Sequence, residues 1–325
     1  MIPKMNALRV GVVGTGSMGR NHLRVLSTMS QFELIGCYDQ DTNRCKQFAE
    51  QYGITAFESA EQLFNEVDVA HIVVPSVLHL ELGIAAAEHG CHVLMEKPLA
   101  LNVDDAQKIT DACEAAGVKL CVGHVERFNP VVSSLMSIIE SEDLISLDFR
   151  RMSPLYTRVS DTSVVMDLMI HDIDVLNAIC PEPIVRLQAQ GACIFTDKID
   201  FAQALITLSS GKMASLIASR VTESKIRSLQ INAKHAFIDV DYLARTVEIS
   251  RKTQFALDVG YPVQYTQENI IEKVFVPLEE PLRAEFEHFF QAIVNDKPIG
   301  PDGKMGRRAI EMCTQIEQAI LDVRG

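Results

Sequence analysis

Leu8-Arg9-Val10-Gly11-Val12-Val13-Gly14-Thr15-Gly16-Ser17-Met18-Gly19 is the stretch that decides the fold. An apolar strand-like segment runs straight into a G-x-G-x-x-G turn. The first glycine permits a tight turn, the second lets the backbone approach a pyrophosphate, and the third allows close helix–strand packing. Phosphates then meet free N–H groups at a helix N-terminus. A glycine-rich turn alone is a weak signal, because such turns are common. Here the preceding strand, the following helix and a later acidic residue supply the context the motif requires. The second apolar run, Phe32–Tyr38, ends at Asp39. A carboxylate there accepts hydrogen bonds from the ribose hydroxyls of NAD and repels the extra phosphate of NADP. The stretch predicts a dinucleotide site, for NAD rather than NADP.

A chain of 325 residues is too long for one ordinary core, so two domains are expected. The hydrophobic fraction of 47% and charged fraction of 22% are those of a soluble globular protein. Lys and Arg number 30 against 43 Asp and Glu, a formal charge of −13. With no local run of basic residues, that balance argues against nucleic acid and anionic membranes as partners. The N-terminus has no signal-peptide pattern and no stretch approaches a membrane span, so a cytoplasmic location is expected. Eight cysteines are scattered without C-x-x-C spacing and read as reduced, mostly buried side chains. No metal centre is expected.

Short apolar strands alternate with helical segments as far as residue 123. Polar Thr42–Tyr52 is followed by Gly53, buried Val69–Val74 is stopped by Pro75, and Leu78–His89 closes at Gly90. This rhythm predicts a doubly wound parallel sheet, the α/β Rossmann arrangement, over residues 1–123. Beyond Gly123 helical patterns at 130–141 and 165–179 precede a run of period-2 segments between 146 and 250. Two helices, 282–295 and 304–323, finish the chain. The expectation for 124–325 is an α+β domain with an open, mostly antiparallel sheet covered by helices on one face. Its open face makes a homo-oligomer, dimer or tetramer, plausible.

Two short motifs carry candidate chemistry. Glu96-Lys97-Pro98 follows directly on the buried strand ending at Met95, and ligands gather beyond the carboxyl ends of strands in open α/β sheets. Proline biases Lys97 towards an extended backbone. A surface lysine in a turn explains the same position about as well. The second motif is Asp167-Leu168-Met169-Ile170-His171, whose ends share one face of a helix. A neutral His accepts a proton at one ring nitrogen while a carboxylate orients the other. The pair also suits metal ligation, but no third ligand of the right type is obvious. From spacing alone a helix-capping Asp beside an ordinary histidine reads slightly better.

Gly14–Gly19, Glu96-Lys97-Pro98 and Asp167-x-x-x-His171, in this order and separation, make the whole chain resemble the glucose–fructose oxidoreductase/inositol dehydrogenase/rhizopine-catabolism (Gfo/Idh/MocA) family. Val122–Pro130 and Val165–Asp174 resemble more closely the subgroup that contains UDP-N-acetylglucosamine 3-dehydrogenases. Ser163-Val164-Val165 stands where many members carry a glycine pair before the Asp, a departure that bears on how the sugar is placed.

The resemblance implies an NAD-dependent dehydrogenase that oxidises a secondary hydroxyl of a sugar nucleotide by hydride transfer to nicotinamide, with UDP-N-acetylglucosamine oxidised at C3 as the leading substrate. The alternatives are a free polyol or monosaccharide such as inositol or glucose, a redox-assisted glycosidase that retains its NAD, and a non-catalytic NAD sensor. The catalytic set is then Lys97 polarising the reacting oxygen, His171 accepting its proton and Asp167 orienting substrate or His171, with Lys97 as base the reverse assignment. Gly14, Thr15, Gly16, Ser17, Met18, Gly19 and Asp39 would take the adenosine half of the cofactor. By resemblance Val74, Pro75, Ser76, His79 and Glu96 border it too, although a helix-start histidine without a ligand competes at His79. Arg127 and Asn129 are candidates for the nicotinamide or substrate edge. Arg151, Tyr156 and Arg158 precede the catalytic helix and offer guanidinium and hydroxyl groups to an anionic substrate.

Overall fold

The computed structural model describes residues 7–155, 162–253 and 268–324. These fall into two compact units: Met1–Phe128 with Glu280–Met312, and Asn129–Glu279 with Cys313–Gly325. The first unit holds six parallel strands, Leu8–Val13 (β1), Phe32–Tyr38 (β2), Thr55–Ala56 (β3), Val69–Ile72 (β4), His92–Glu96 (β5) and Leu120–Gly123 (β6). Their order is β3-β2-β1-β4-β5-β6. The direction of winding reverses between β1 and β4, so the loops after these two strands flank the crevice where such sheets bind ligands.

The helices between the strands are Ser17–Leu26 (α1), Thr42–Tyr52 (α2), Ala60–Phe64 (α3), His79–Glu88 (α4) and Val103–Ala116 (α5). Local chemistry sets several of their ends. Asp41 caps α2 by accepting the Arg44 N–H, Ser59 caps α3 through the Gln62 N–H, and Asn102 caps α5 through the Asp105 N–H. Helix α1 differs: it starts at Gly16 with no side-chain cap. Its first N–H groups are left for another acceptor.

In the second unit, Pro130–Ile139 (α6) opens with Asn129 accepting the Val131 N–H. A widened π turn over Val165–Met169 runs into Ile170–Ile179 (α7). Among the described residues the sheet has eight strands: Leu144–Pro154 (β7), Ile184–Ala192 (β8), Phe201–Leu208 (β9), Met213–Ser219 (β10), Val221–Ala233 (β11), Phe237–Asp241 (β12), Thr246–Thr253 (β13) and Glu268–Lys273 (β14). Their order is β14-β13-β12-β11-β7-β10-β9-β8, antiparallel except for β7 beside β10. Strand β14, Glu268-Asn269-Ile270-Ile271-Glu272-Lys273, lies outside the expected series because charges at both ends mask its short apolar centre.

Two helices complete the described chain, Pro281–Val294 (α8) and Gly303–Arg324 (α9). The sequence places all of 124–325 in one domain. By its contacts α8 belongs to the first unit, where Leu282, Phe286, Phe289 and Phe290 join the core built from Val10, Val12, Leu23, Leu26, Phe32 and Val69. Burying each phenylalanine contributes about 1.5–3 kcal/mol. The helix therefore closes a face of the Rossmann sheet that residues 1–123 cannot cover themselves. Among the described residues no helix is long and apolar enough to cross a membrane, and no group of three His, Cys, Asp or Glu side chains is placed to hold a metal ion.

Candidate active site

The cofactor cleft is built on the two loops at the winding reversal. Gly14 has φ +93°, a left-handed conformation that side chains resist, and a Cβ there would strike the Val73 carbonyl. A Cβ on Gly19 would overlap the Gly14 carbonyl, so that glycine is needed for the turn to close on α1. Gly16 is different: nothing lies within 4 Å of where its Cβ would be. This open space stands at the uncapped start of α1. It suits a pyrophosphate held on backbone N–H groups, which is the fit a dinucleotide requires.

The adjoining cleft of about 540 Å³ is lined by Gly14, Gly16, Asp39, Arg44, Val74 and Pro75 among others. Asp39 accepts the Thr15 backbone N–H at 2.6 Å and its hydroxyl at 2.9 Å through one oxygen. Through the other it accepts the Asp41 N–H at 2.9 Å and the Arg44 guanidinium at 2.7 Å. Burial pushes its carboxyl up, but the N–H groups of Thr15 and Asp41 and the Arg44 cation outweigh this and hold its pKa below the usual carboxylate value. Four donors fill the lone-pair directions of a carboxylate. A ribose hydroxyl must therefore displace one of them, and half-exposed Arg44 is the most easily moved. Ser17 and Met18 are exposed at the start of α1, while Thr15 is buried against Asp39.

Lys97 is half-buried and follows β5, and its peptide bond to Pro98 is cis. Glu96 is buried, with one oxygen 3.0 Å from His22 Nε2 and the other accepting the Lys97 backbone N–H at 3.3 Å. Burial raises the Glu96 carboxyl, yet the His22 hydrogen bond, the charge of Lys97 and the Lys97 backbone N–H bring its pKa below the usual range. His79 is fully buried. Its Nε2 lies 3.0 Å from the Val74 carbonyl and its Nδ1 3.0 Å from that of Pro98. His79 thus braces the Val74 loop against the Lys97 loop.

In the second unit Asp167 lies in the π turn and His171 in the first turn of α7. Widened turns of this kind recur at functional sites. Asp167 is about one quarter exposed and His171 half-buried, so both are open to a ligand. The Arg220 guanidinium donates to Asp167 at 3.1 Å and to the Thr162 carbonyl at 2.6 Å. Its side chain is buried, so the pair is only partly screened by water.

Other expected ligand groups take structural roles. Arg151 is 2% exposed and donates from two nitrogens to Asp172 of α7, at 3.0 and 2.7 Å. This pairing ties α7 to β7. Asn129 is the buried cap of α6. Arg127 sits in the first unit with a guanidinium nitrogen 3.3 Å from Met305 Sδ. Tyr156 and Arg158 lie outside the described residues. Arg44, Arg220 and His22 were not singled out in the sequence. Arg44 carries a local signal, one turn into α2 after Asp41, whereas Arg220 is far from Asp167 in the chain and carries none.

Residues 8–124 match the oxidoreductase family with an NAD-binding Rossmann fold, and residues 146–238 match the GFO/IDH/MocA C-terminal domain. The chain belongs to the Gfo/Idh/MocA family and is an NAD(P)-dependent oxidoreductase. It is 32% identical to UDP-N-acetylglucosamine 3-dehydrogenase of Acidithiobacillus ferrooxidans, over 96% of this chain and 97% of that protein. A solved structure of that enzyme superposes with a TM-score of 0.89 at 31% identity, covering 97% of this chain and 98% of that one. Myo-inositol 2-dehydrogenase of Thermotoga maritima is 28% identical over 66% of this chain and 69% of its own. Levoglucosan dehydrogenase in complex with NADH and levoglucosan shares the fold, with a TM-score of 0.85 at 18% identity over 98% of each chain.

Proposed function

We propose that this enzyme oxidises the C3 hydroxyl of UDP-N-acetylglucosamine with NAD, giving the 3-keto sugar nucleotide. The observation that carries the substrate is the similarity to UDP-N-acetylglucosamine 3-dehydrogenase, which runs through both units rather than the Rossmann part alone. Asp39 at the end of β2 supports NAD, because its carboxylate favours ribose hydroxyls and repels a ribose phosphate.

When bound, NAD would supply the hydride acceptor for a carbinol carbon. Gly14, Gly16 and the α1 N-terminus would hold the phosphates, and Asp39 the ribose. The chain's own groups then handle the proton. As hydride leaves the carbon, the hydroxyl must lose its proton, and His171 accepts it at a ring nitrogen. Lys97 donates a hydrogen bond to the same oxygen and stabilises the charge that develops there. Asp167, held by Arg220, orients the sugar or His171. A second copy of this chain is the proposed cover for the open face of the second sheet, where Leu205 and Met213 are about half exposed among polar neighbours.

The test is reduction of NAD in the presence of UDP-N-acetylglucosamine, glucose, inositol and glucose 6-phosphate, followed by borodeuteride trapping of the product. Deuterium at C3 of the sugar nucleotide supports the reading. Turnover of a free polyol instead would move the substrate to the inositol class. No reduction with any sugar, even with a downstream aminotransferase present to remove product, would leave an NAD-sensing role.

A further inference from the structure

Behind Lys97 lies a chain of buried polar groups that the cofactor cleft does not use. His71 on β4 is fully buried in an aromatic cage, with Phe286 edge-on at 4.6 Å between ring centroids and Phe289 and Phe32 each at 6.4 Å. Its Nδ1 lies 3.1 Å from Nδ1 of His22, which is also fully buried on α1. His22 Nε2 lies 3.0 Å from one Glu96 oxygen, and the other Glu96 oxygen accepts the Lys97 backbone N–H. One group from each of β4, α1 and β5 thus forms a relay that ends on the peptide N–H of Lys97.

The protons in this chain follow from its geometry. A carboxylate only accepts, so His22 Nε2 carries hydrogen. With His22 neutral, its Nδ1 is then an acceptor, and His71 must donate from Nδ1. His71 Nε2 is left bare towards the aromatic cage, where it has no hydrogen-bond partner among the described residues. A doubly protonated His22 would reverse the inner bond and force a buried N–H on His71 Nε2 with no acceptor, the rarer kind of orphan in proteins. Burial also pulls the His71 pKa well below 6.5, which keeps that ring neutral.

Gly123 on β6 supports the same reading. A Cβ there would lie 3.1 Å from the Glu96 Cα and 3.2 Å from its carboxyl carbon. The Glu96 side chain therefore lies across Gly123, where a Cβ would crowd it. The charged and titratable groups facing it are His22 from α1, Lys97 from its own loop and His79 from α4.

We propose that His71 and His22 are positioning residues for Lys97, acting through Glu96 in the order His71 Nδ1–H to His22 Nδ1, His22 Nε2–H to Glu96, and Lys97 N–H to Glu96. The proposal rests on the role given to Lys97 above. Removing the outermost group frees the His22 ring to change tautomer, and the Glu96 carboxylate loses its fixed donor. The ammonium of Lys97 then samples more positions over the reacting oxygen, so turnover falls while cofactor affinity holds.

The test uses the full-length protein with 15N-labelled histidine, in wild-type form and as His71→Phe, which keeps a ring in the cage. In the wild type, nitrogen spectra should show His22 protonated at Nε2 only and His71 at Nδ1 only. In His71→Phe, the His22 tautomer signature should be lost, with kcat down about tenfold and KM for NAD within about twofold. Should His71→Phe fail to fold, His71→Gln replaces it, and the wild-type spectrum decides alone on the proton order. A wild-type His22 protonated at Nδ1, or a folded variant with unchanged kcat, would overturn the proposal. Its failure is separable from that of the dehydrogenase reading, because the spectra need no turnover.

Discussion

In the first unit the cofactor loop takes its shape from glycines whose missing Cβ atoms leave room for Val73 and Gly14 carbonyls, and it leaves the start of α1 uncapped. In the second, Asp167 is fixed by a guanidinium 53 residues further along the chain, brought to it by the β10–β11 turn. The glycine turn and uncapped helix start are thus a property of a dozen consecutive residues. The Asp167–Arg220 pair depends on a whole sheet. Local design of this kind permits a common cofactor loop, while the distant partners of Asp167 and α7 set what each unit does with its own side chains.

The largest expected effect separates chemistry from binding within the first unit. Lys97→Met should lower kcat by about a thousandfold, the scale of a lost proton-handling or charge-stabilising group, with NAD affinity measured by calorimetry nearly intact. Weak NAD binding in a folded Lys97→Met protein would instead make Lys97 part of the cradle. The counterpart in the second unit is Arg220→Ala, for which a loss of roughly 100-fold in kcat is expected from a carboxylate displaced by an ångström. Arg220→Lys keeps the charge without the planar fork and should recover only part of it. Equal kcat values for Arg220→Ala and wild type would remove Asp167 from the site.

A smaller effect concerns cofactor choice. Arg44 pairs with Asp39 and its side chain is half exposed, so it softens the rejection of a ribose phosphate. Arg44→Ala should raise the NAD to NADP ratio of kcat/KM by roughly tenfold, the scale of one charged hydrogen bond. An unchanged ratio would place the ribose away from Asp39.

The smallest effect distinguishes the units by stability. His71, His79, His92 and His288, all in the first unit, have pKa values held below 6.5 by burial. As pH falls below 6.5 the unfolded chain binds protons that the folded unit refuses, so stability present at neutral pH is lost. Hydrogen exchange at about pH 5.5 should therefore show the first unit opening more than the second, relative to neutral pH. Greater loss in the second unit would contradict the burial of these rings.

The pattern of Leu8–Gly19, the alternation up to Val122 and the period-2 segments beyond it made both sheets legible, because each rests on local periodicity. Helix α8 was legible as a helix but not as part of the first unit, since nothing in Leu282–Val294 says which core its phenylalanines enter. Arg151 shows the same limit for a site. A guanidinium ahead of the Asp167–His171 segment looks available in sequence, and only the fold reveals Asp172 against it. His79 is another such group, a polar residue in the right loop whose partners are backbone carbonyls.

The most direct measurement is the fate of the hydrogen on C3. With UDP-N-acetylglucosamine deuterated at that carbon, mass spectrometry of the reduced cofactor should show one deuterium per NADH formed, and Lys97→Met should form almost none. Reduced cofactor without the label, or no reduction while a folded enzyme binds both NAD and the sugar nucleotide, would contradict the account.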